Sequence, residues 1–393
     1  MSWERVGMAR RTTIALGIWA ATAAPLAAAQ DKTPELDVPY VPTRRKAVDE
    51  MLRLAKVTAE DYVVDLGCGD GRIVIAAAKR HKARGLGVDL DPKRVRESKR
   101  NASKAGVTDL VTFRKADVMD TDVRQASVVT LFLLEDINVR LRPKLFTELK
   151  PATRVVSNSF SMRDWKADQE VRHPQAYSKV IYLWIIPAPV GGTWTWQTKL
   201  AGKAGADSLK LEQEFQAVRG TVSLSGAAGV PIAEASLAGK ELRFTASLGA
   251  AREQVVVAYK GAVDGDVIRG TQEWRAGPHA GTHPWLATRK PVDLIGRWQV
   301  RAPAHPEKNG TLRIRREAAG LKATYVRDKE PKEERALRGF YAWGSSIRFE
   351  VPLNEWSTLA FSGSLGPNAG GGNVGREQSQ ERSTWSAKRL AGN

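Results

Sequence analysis

The stretch Val63-Val64-Asp65-Leu66-Gly67-Cys68-Gly69-Asp70-Gly71-Arg72 constrains this chain more than any other. An apolar run reaches an acidic residue, crosses three glycines at alternate positions and enters residues 72–80, where Ile73, Ala76 and Ala77 share a helical face. Glycine lets the backbone turn sharply and lets a ligand approach without side chains in the way. The segment therefore reads as strand, ligand-facing turn and helix. Helical spacing of Val48, Met51, Leu52 and Ala55 precedes it, over 46–55. After it come a strand at 85–90, a basic helix at 92–105, strands near 111–113 and at 127–134, and a helix near 142–149. A strand at 154–159 and a β-branched, aromatic run at 180–186 complete the series. This alternation predicts an α/β domain over 35–187, a mostly parallel sheet covered on both faces.

Beyond Pro187-Ala188-Pro189 and Gly191-Gly192 the texture becomes short alternating segments between glycine turns, an all-β pattern. It also recurs at an offset of about 100 residues. Gly192-Thr193-Trp194 matches Gly296-Arg297-Trp298, and Leu209-Lys210-Leu211 matches Leu312-Arg313-Ile314. Leu242-Arg243-Phe244 matches Ile347-Arg348-Phe349; Ala258-Tyr259-Lys260-Gly261 matches Ala360-Phe361-Ser362-Gly363; Trp285 to Arg289 matches Trp385 to Arg389. Two repeated units are expected, 192–289 and 296–390, as two small antiparallel barrels or sandwiches or one larger one. The glycine-rich run 366–372 lacks the Lys-Ser/Thr ending of a phosphate loop and reads as a flexible linker.

Residues 1–29 read as a signal peptide: Arg5, Arg10 and Arg11, an apolar run over 12–24, then Ala27-Ala28-Ala29 before Gln30. That places the protein in the periplasm or outside the cell, or in the cytoplasm if the signal is not used. The pair Arg10-Arg11 leaves twin-arginine export open. The formal charge of +18 favours an anionic surface as partner, or simply a well-solvated basic face. The basic helix carrying Lys93, Arg94, Arg96, Lys99, Arg100 and Lys104 spreads its charge all round, which suits solvent better than specific nucleic acid. No metal site is expected: His279 and His283, four apart in an expected loop, have no acidic partner pattern.

Three acidic residues stand at successive strand ends: Asp65, Asp89 in Gly87-Val88-Asp89, and Asp117 after Ala116. A glycine turn alone would suit a dinucleotide as well. The ordered carboxylates narrow it, and these positions resemble the class I S-adenosylmethionine (SAM)-dependent methyltransferases. The resemblance implies a Rossmann-like seven-strand sheet with an antiparallel hairpin at one edge, and SAM as cofactor. Asp65 would engage the methionyl ammonium, Asp89 the ribose hydroxyls and Asp117 the adenine amino group. Gly67, Cys68, Gly69, Asp70 and Gly71 would form the turn beneath, with Cys68 a small turn residue and not a nucleophile.

The flanks carry a closer likeness. Asp37-Val38-Pro39-Tyr40-Val41-Pro42-Thr43 fits an acidic-x-x-Tyr-x-Pro-Ser/Thr signature, and Asp70-Gly71-Arg72-Ile73-Val74 extends the glycine motif. Together with the runs 128–134 and 154–160, these are similar to the small seven-strand protein-lysine methyltransferases. That group includes the mitochondrial lysine methyltransferase that acts on ATP synthase. The likeness covers under half of the chain. It implies methyl transfer to a lysine amine of a protein substrate, with membrane-associated proteins among the acceptors to consider. Tyr40, Glu135, Asp136 and Asn138 are the catalytic candidates; Glu135 and Asp136 would equally cap the helix after them. No Asn/Asp-Pro-Pro-Tyr/Phe follows the fourth strand, which argues against methylation of bases or glutamine. Two other readings stay open: an exported, largely non-catalytic binding protein whose β repeats hold envelope components, and a small-molecule methyltransferase.

Overall fold

A computed structural model describes residues 40–393, apart from 201–202, 225, 250–253, 319, 338–339, 355–356, 367, 377–381 and 392–393. The expected signal peptide and the Asp37-Val38-Pro39 half of the flanking signature lie outside the described residues.

The first part runs α1 (Arg45–Leu54), β1 (Tyr62–Leu66), α2 (Arg72–His81), β2 (Arg84–Asp89), α3 (Pro92–Ala105), β3 (Val111–Lys115), β4 (Val128–Leu131), α4 (Glu135–Glu148), β5 (Arg154–Asn158), β6 (Gln169–Arg172) and β7 (Val180–Ile185). Its strands form one sheet in the order β3-β2-β1-β4-β5-β7-β6. The first five are parallel, while β7 runs antiparallel to both β5 and β6. Because β1 lies between β2 and β4, the chain order reverses there, and a crevice opens outside the strand ends. The helices start and stop for local reasons. Asp91 caps α3 by accepting from Lys93 N at 2.7 Å, Pro92 opens it and left-handed Gly106 ends it.

Two boundaries depart from expectation. The strand expected over 127–134 ends at Leu131; the chain leaves the sheet at Phe132, and α4 begins at Glu135, well before the expected 142. Strand β6 carries no apolar pattern in the sequence because it is a polar, mostly exposed edge.

The second part is all β. Strands β8 (Gly192–Leu200), β9 (Lys203–Glu214), β10 (Ala217–Leu224), β11 (Ala227–Ala238), β12 (Glu241–Leu248), β13 (Val255–Asp264), β14 (Val267–Ala276) and β15 (His279–Arg289) each pair with the next, and β15 returns to β8 in a closed barrel. His279 and His283 thus stand in a strand, not the expected loop. Next come β16 (Gly296–Arg301), β17 (Gly310–Glu317), β18 (Gly320–Arg327), β19 (Glu334–Ala336), β20 (Tyr341–Trp343), β21 (Ser346–Asn354), β22 (Ser357–Leu365), β23 (Ala369–Arg376) and β24 (Arg382–Arg389). They form an open sheet ordered β19-β18-β17-β16-β24-β23-β22-β21-β20. The glycine run read as a linker belongs to β23. A Cβ on Gly370, Gly371 or Gly372 would lie 2.1–2.6 Å from a neighbouring strand's carbonyl oxygen, so glycine here permits close backbone pairing.

The closed barrel and the open sheet share two local packings. Trp194 Nε1 donates to Val190 O at 2.7 Å beneath Arg289, and Trp298 Nε1 donates to Leu294 O at 3.0 Å beneath Arg389. Phe244 stacks on Tyr259 at 4.6 Å with Trp285 edge-on; Phe349 stacks on Phe361 at 4.7 Å with Trp385 edge-on.

Both units dock onto the α/β part at one aromatic cluster. Phe146 of α4 packs against Trp165, Phe215, Tyr341 and Trp343 with ring centroids 4.5–5.8 Å apart. Beside it, the Asp164 carboxylate sits between Arg142 of α4 and Arg348 of β21, the latter at 2.8 Å. Trp165 Nε1 donates to Gln216 Oε1 at 2.9 Å, and Gln216 Nε2 donates to Lys166 O at 2.7 Å.

Candidate functional site

The turn between β1 and α2 is built on positive φ values at Gly67 (+81°), Gly69 (+54°) and Gly71 (+80°), which L side chains rarely adopt. Gly67 N and Cys68 N both donate to Val88 O, at 2.9 and 2.8 Å, lashing the turn to β2. Crowding adds a second reason for glycine. A Cβ on Gly67 would lie 2.8 Å from Leu133 Cδ2, and one on Gly69 2.5 Å from Tyr40 Cε2. Above this turn opens a cavity of ≈240 Å³, bounded by Tyr40, Asp65, Asp89, Asp117, Phe132 and Tyr177 among others.

Asp65 stands on the cavity floor, buried. Its Oδ1 accepts from Thr130 Oγ1 at 2.7 Å, and its Oδ2 has no hydrogen-bond partner among the described residues. Burial, opposed by the Thr130 bond and reinforced by the charges of Asp89 and Asp70, pushes its carboxyl up to about 7. A cation arriving at Oδ2 would remove that penalty. Asp89 accepts from Gly69 N at 2.8 Å through Oδ2 and from Asp91 N at 2.9 Å through Oδ1. It therefore braces the turn while keeping lone pairs for hydroxyl donors. Asp117, exposed at the far side, accepts from Met119 N at 2.8 Å. Asp70 is gripped by Arg72, whose Nε and Nη2 donate at 2.8 and 2.6 Å; burial pushes its carboxyl up, and the guanidinium outweighs that. Arg72 Nη1 also donates to Thr43 O at 2.6 Å, tying the turn to the chain beside Tyr40. Burial raises the Cys68 thiol, which suits a small, protonated turn residue.

Of the four catalytic candidates, Tyr40 alone lines the cavity. Its ring covers Gly69 beneath the Arg94 guanidinium, 4.4 Å from the ring centre, and burial followed by the Asp70 charge raises its phenol. Arg94 thus folds back onto the site, away from the solvated face expected for the basic helix. Glu135, Asp136 and Asn138 stand behind the wall. Glu135 accepts from Ser161 Oγ and from Arg163 Nε at 3.2 Å, and Asp136 pairs with Arg163. Asn138, fully buried, donates to Phe160 O at 3.1 Å and Ser157 Oγ at 3.3 Å. All three hold the segment that follows β5.

That segment supplies a wall not identified from the sequence. Ser159 adopts φ +77° and turns the chain out of β5 toward Phe160. Ser178 Oγ donates to Ser159 O at 2.7 Å, which brings the neighbouring Tyr177 alongside. Phe132, Phe160 and Tyr177 pack mutually at 6.0–6.4 Å and line the cavity together. The legible signal was an aromatic just past the carboxyl end of each of two strands, Phe132 and Phe160; Tyr177 had none.

Residues 65–169 match the family model described as the ANTKMT methyltransferase domain. The chain is 44% identical over 151 residues to a protein-lysine N-methyltransferase of Saccharolobus islandicus (strain REY15A), covering 38% of this chain and 94% of that protein. It is 34% identical over 131 residues to the adenine nucleotide translocase lysine N-methyltransferase of Mus musculus, covering 33% of this chain and 57% of that one. The chain therefore spans little more than half of the mouse relative. Among solved structures, an RNA methyltransferase from Salinibacter ruber in complex with S-adenosyl-L-homocysteine shares 48% identity. There the TM-score is 0.35, with 37% of this chain and 93% of that one covered.

Proposed function

Because this chain belongs to the protein-lysine N-methyltransferase family, we propose that it is a SAM-dependent enzyme that methylates a lysine amine of a protein. The observation that carries this is the buried Asp65 Oδ2, unpartnered among the described residues, beside a glycine-rich turn and facing an aromatic wall. When bound, SAM supplies a methyl group activated by its sulfonium for in-line displacement by an amine. Asp65 pairs with the amino-acid ammonium, Asp89 accepts from ribose hydroxyls, and Asp117 faces the base; Gly67, Cys68, Gly69, Asp70 and Gly71 give the backbone its close approach. Phe132, Phe160 and Tyr177 hold the acceptor's alkyl chain. Their apolar surroundings favour the neutral, nucleophilic amine over ammonium. Tyr40 keeps its proton at neutral pH and closes the side shared by cofactor and acceptor. Glu135, Asp136 and Asn138 act as positioning residues for the 160–163 segment.

Tyr40, Val41, Leu134 and Tyr177 are four of the five large exposed hydrophobic side chains among the described residues, and all four line this cavity. Such clustering marks an interaction surface and supports an acceptor lysine flanked by apolar residues, as in a membrane-associated protein. The paired Trp and Phe/Trp packings support a duplicated origin for 192–289 and 296–390. Residues 1–29 favour export, which fractionation of tagged cells would test.

Titration calorimetry with SAM on the full chain, followed by mass spectrometry of methylated envelope proteins, tests the reading. Only ionised Asp65 pairs with the ammonium, so affinity should fall below about pH 7 by up to about tenfold per unit, and fall again above about 8 as the ligand's own amine loses its proton. Asp65→Asn should weaken binding and abolish the acid-side fall. Failure of wild type to bind SAM, or methyl groups found off lysine, would overturn it.

A further inference from the structure

The interior of the β8–β15 barrel carries polar groups that its counterpart lacks. Trp196 pairs across strands with Asp207, and Tyr259 with Gln272. At the corresponding pairings the second unit has Val300 with Gly310, and Phe361 with Val374. The frame around them is the same in both: Trp194 faces Leu209 as Trp298 faces Leu312, and Phe244 faces Tyr259 as Phe349 faces Phe361. The architecture therefore packs without these polar groups.

Three of the side chains in this core are donors with no hydrogen-bond partner among the described residues: Trp196 Nε1, Trp285 Nε1 and the Tyr259 hydroxyl. Their residues are 4%, 1% and 2% exposed, so bulk water does not serve them. Their rings touch one another, with centroids 5.0–5.9 Å apart. In the second unit, by contrast, Trp385 Nε1 donates to Ser362 O at 3.0 Å. Buried donors are ordinarily satisfied, so a set left open in a core whose counterpart closes it points to a ligand bearing acceptors. Burial also falls toward one end of the barrel, where Val230, Ile232, Leu248, Val255 and Trp274 are only partly buried around the mouth. A largely apolar mouth, which carries one further donor unpartnered among the described residues in Trp274 Nε1, above polar depths suits a molecule with an apolar body and a small polar head. An uncharged head suits the site: the three N–H and O–H donors call for an acceptor, which an ammonium lacks, and the buried carboxylate of Asp207 opposes an anion.

We infer that the β8–β15 barrel binds an uncharged amphiphile, its hydroxyl or carbonyl head accepting from Trp196, Tyr259 and Trp285 and its apolar body held at the mouth.

The full-length protein is titrated with 1-dodecanol, dodecanoate and dodecylammonium at neutral pH, with tryptophan fluorescence and calorimetry as readouts. Saturable binding of one alcohol per chain is expected, with both ions weaker by about tenfold or more. Tyr259→Phe, which installs the residue found at the matching place in the second unit, should weaken alcohol binding by about tenfold. Its fold by circular dichroism and its SAM binding should be unchanged. Trp196→Phe should act in the same direction. Absent or non-saturable alcohol binding, unchanged affinity in folded Tyr259→Phe, or a crystal structure grown with the alcohol showing only ordered water on the three donors would each overturn the inference.

Discussion

In the first β unit, β11 runs from Ala227 to Ala238 with a bulge between Ala233 and Ser236, pairing with β10 through its beginning and β12 through its end, and the barrel closes. At the same stage of the second unit, among the described residues, β19 pairs only with β18 and β20 only with β21, and the sheet stays open. The freed piece has another partner. Tyr341 and Trp343 of β20 pack on Phe146, and Arg348, next along in β21, reaches Asp164. An unpaired sheet edge invites unwanted association unless something covers it. Here the β20 edge is covered by the α/β part while the short, charged β19 edge stays exposed, so closure is given up where docking supplies burial on one side.

The largest expected effect breaks that docking. Asp164→Ala strands Arg142 and Arg348, whose side chains are 2% and 5% exposed, without the carboxylate between them. We expect a loss of about 3–5 kcal/mol in chemical denaturation, with the second unit unfolding separately in calorimetry. A single unshifted transition would mean the open sheet is not held by this junction. The pH dependence has a definite sign. Burial pushes the Asp164 carboxyl up, but Arg348 and Arg142 outweigh it, so it titrates below its unfolded value. Its contribution is complete at neutral pH and fades as pH falls below about 4.

A second experiment sharpens closed against open. Gly270 and Gly372 each pair with another glycine, Gly261 and Gly363. A Cβ would lie 1.9 Å from Lys260 O in the first case and 2.1 Å from Ser362 O in the second. A closed barrel cannot widen to admit it, whereas an open sheet can splay. We expect Gly270→Ala to cost about 3 kcal/mol and Gly372→Ala about 1–2 kcal/mol; equal losses would show that closure adds no stiffness. The smallest effect concerns the core that differs between units. Removing the unpartnered hydroxyl with Tyr259→Phe should leave ligand-free stability within about 1 kcal/mol of wild type or raise it. A larger loss would reveal a protein partner for that oxygen.

Much of this was legible from sequence where the cause is local. The three glycines, the carboxylates at successive strand ends and the Trp and Phe positions of the β units all announce themselves through short-range pattern. The wall of the site does not. Phe132-Leu133-Leu134 continues an apolar run, so the point where the chain leaves the sheet carries no mark, and the start of α4 is hidden with it. Tyr177 is an exposed aromatic in a turn-rich stretch. Gly370-Gly371-Gly372 looks like slack chain until its neighbours' carbonyl oxygens are placed. The aromatic junction joins Phe146 to Trp343 across the whole β region, a distance no periodicity spans.

The six residues from Phe160 to Trp165 have their ends in different neighbourhoods. Phe160 lines the cavity, while Asp164 and Trp165 are fastened by Arg348 and Gln216 of the β units. The tail is thus an abutment for the catalytic half: sever it, and the glycine turn keeps its anchorage on β1 and β2 while the opposite rampart loses its footing. Cofactor affinity and acceptor choice should then come apart.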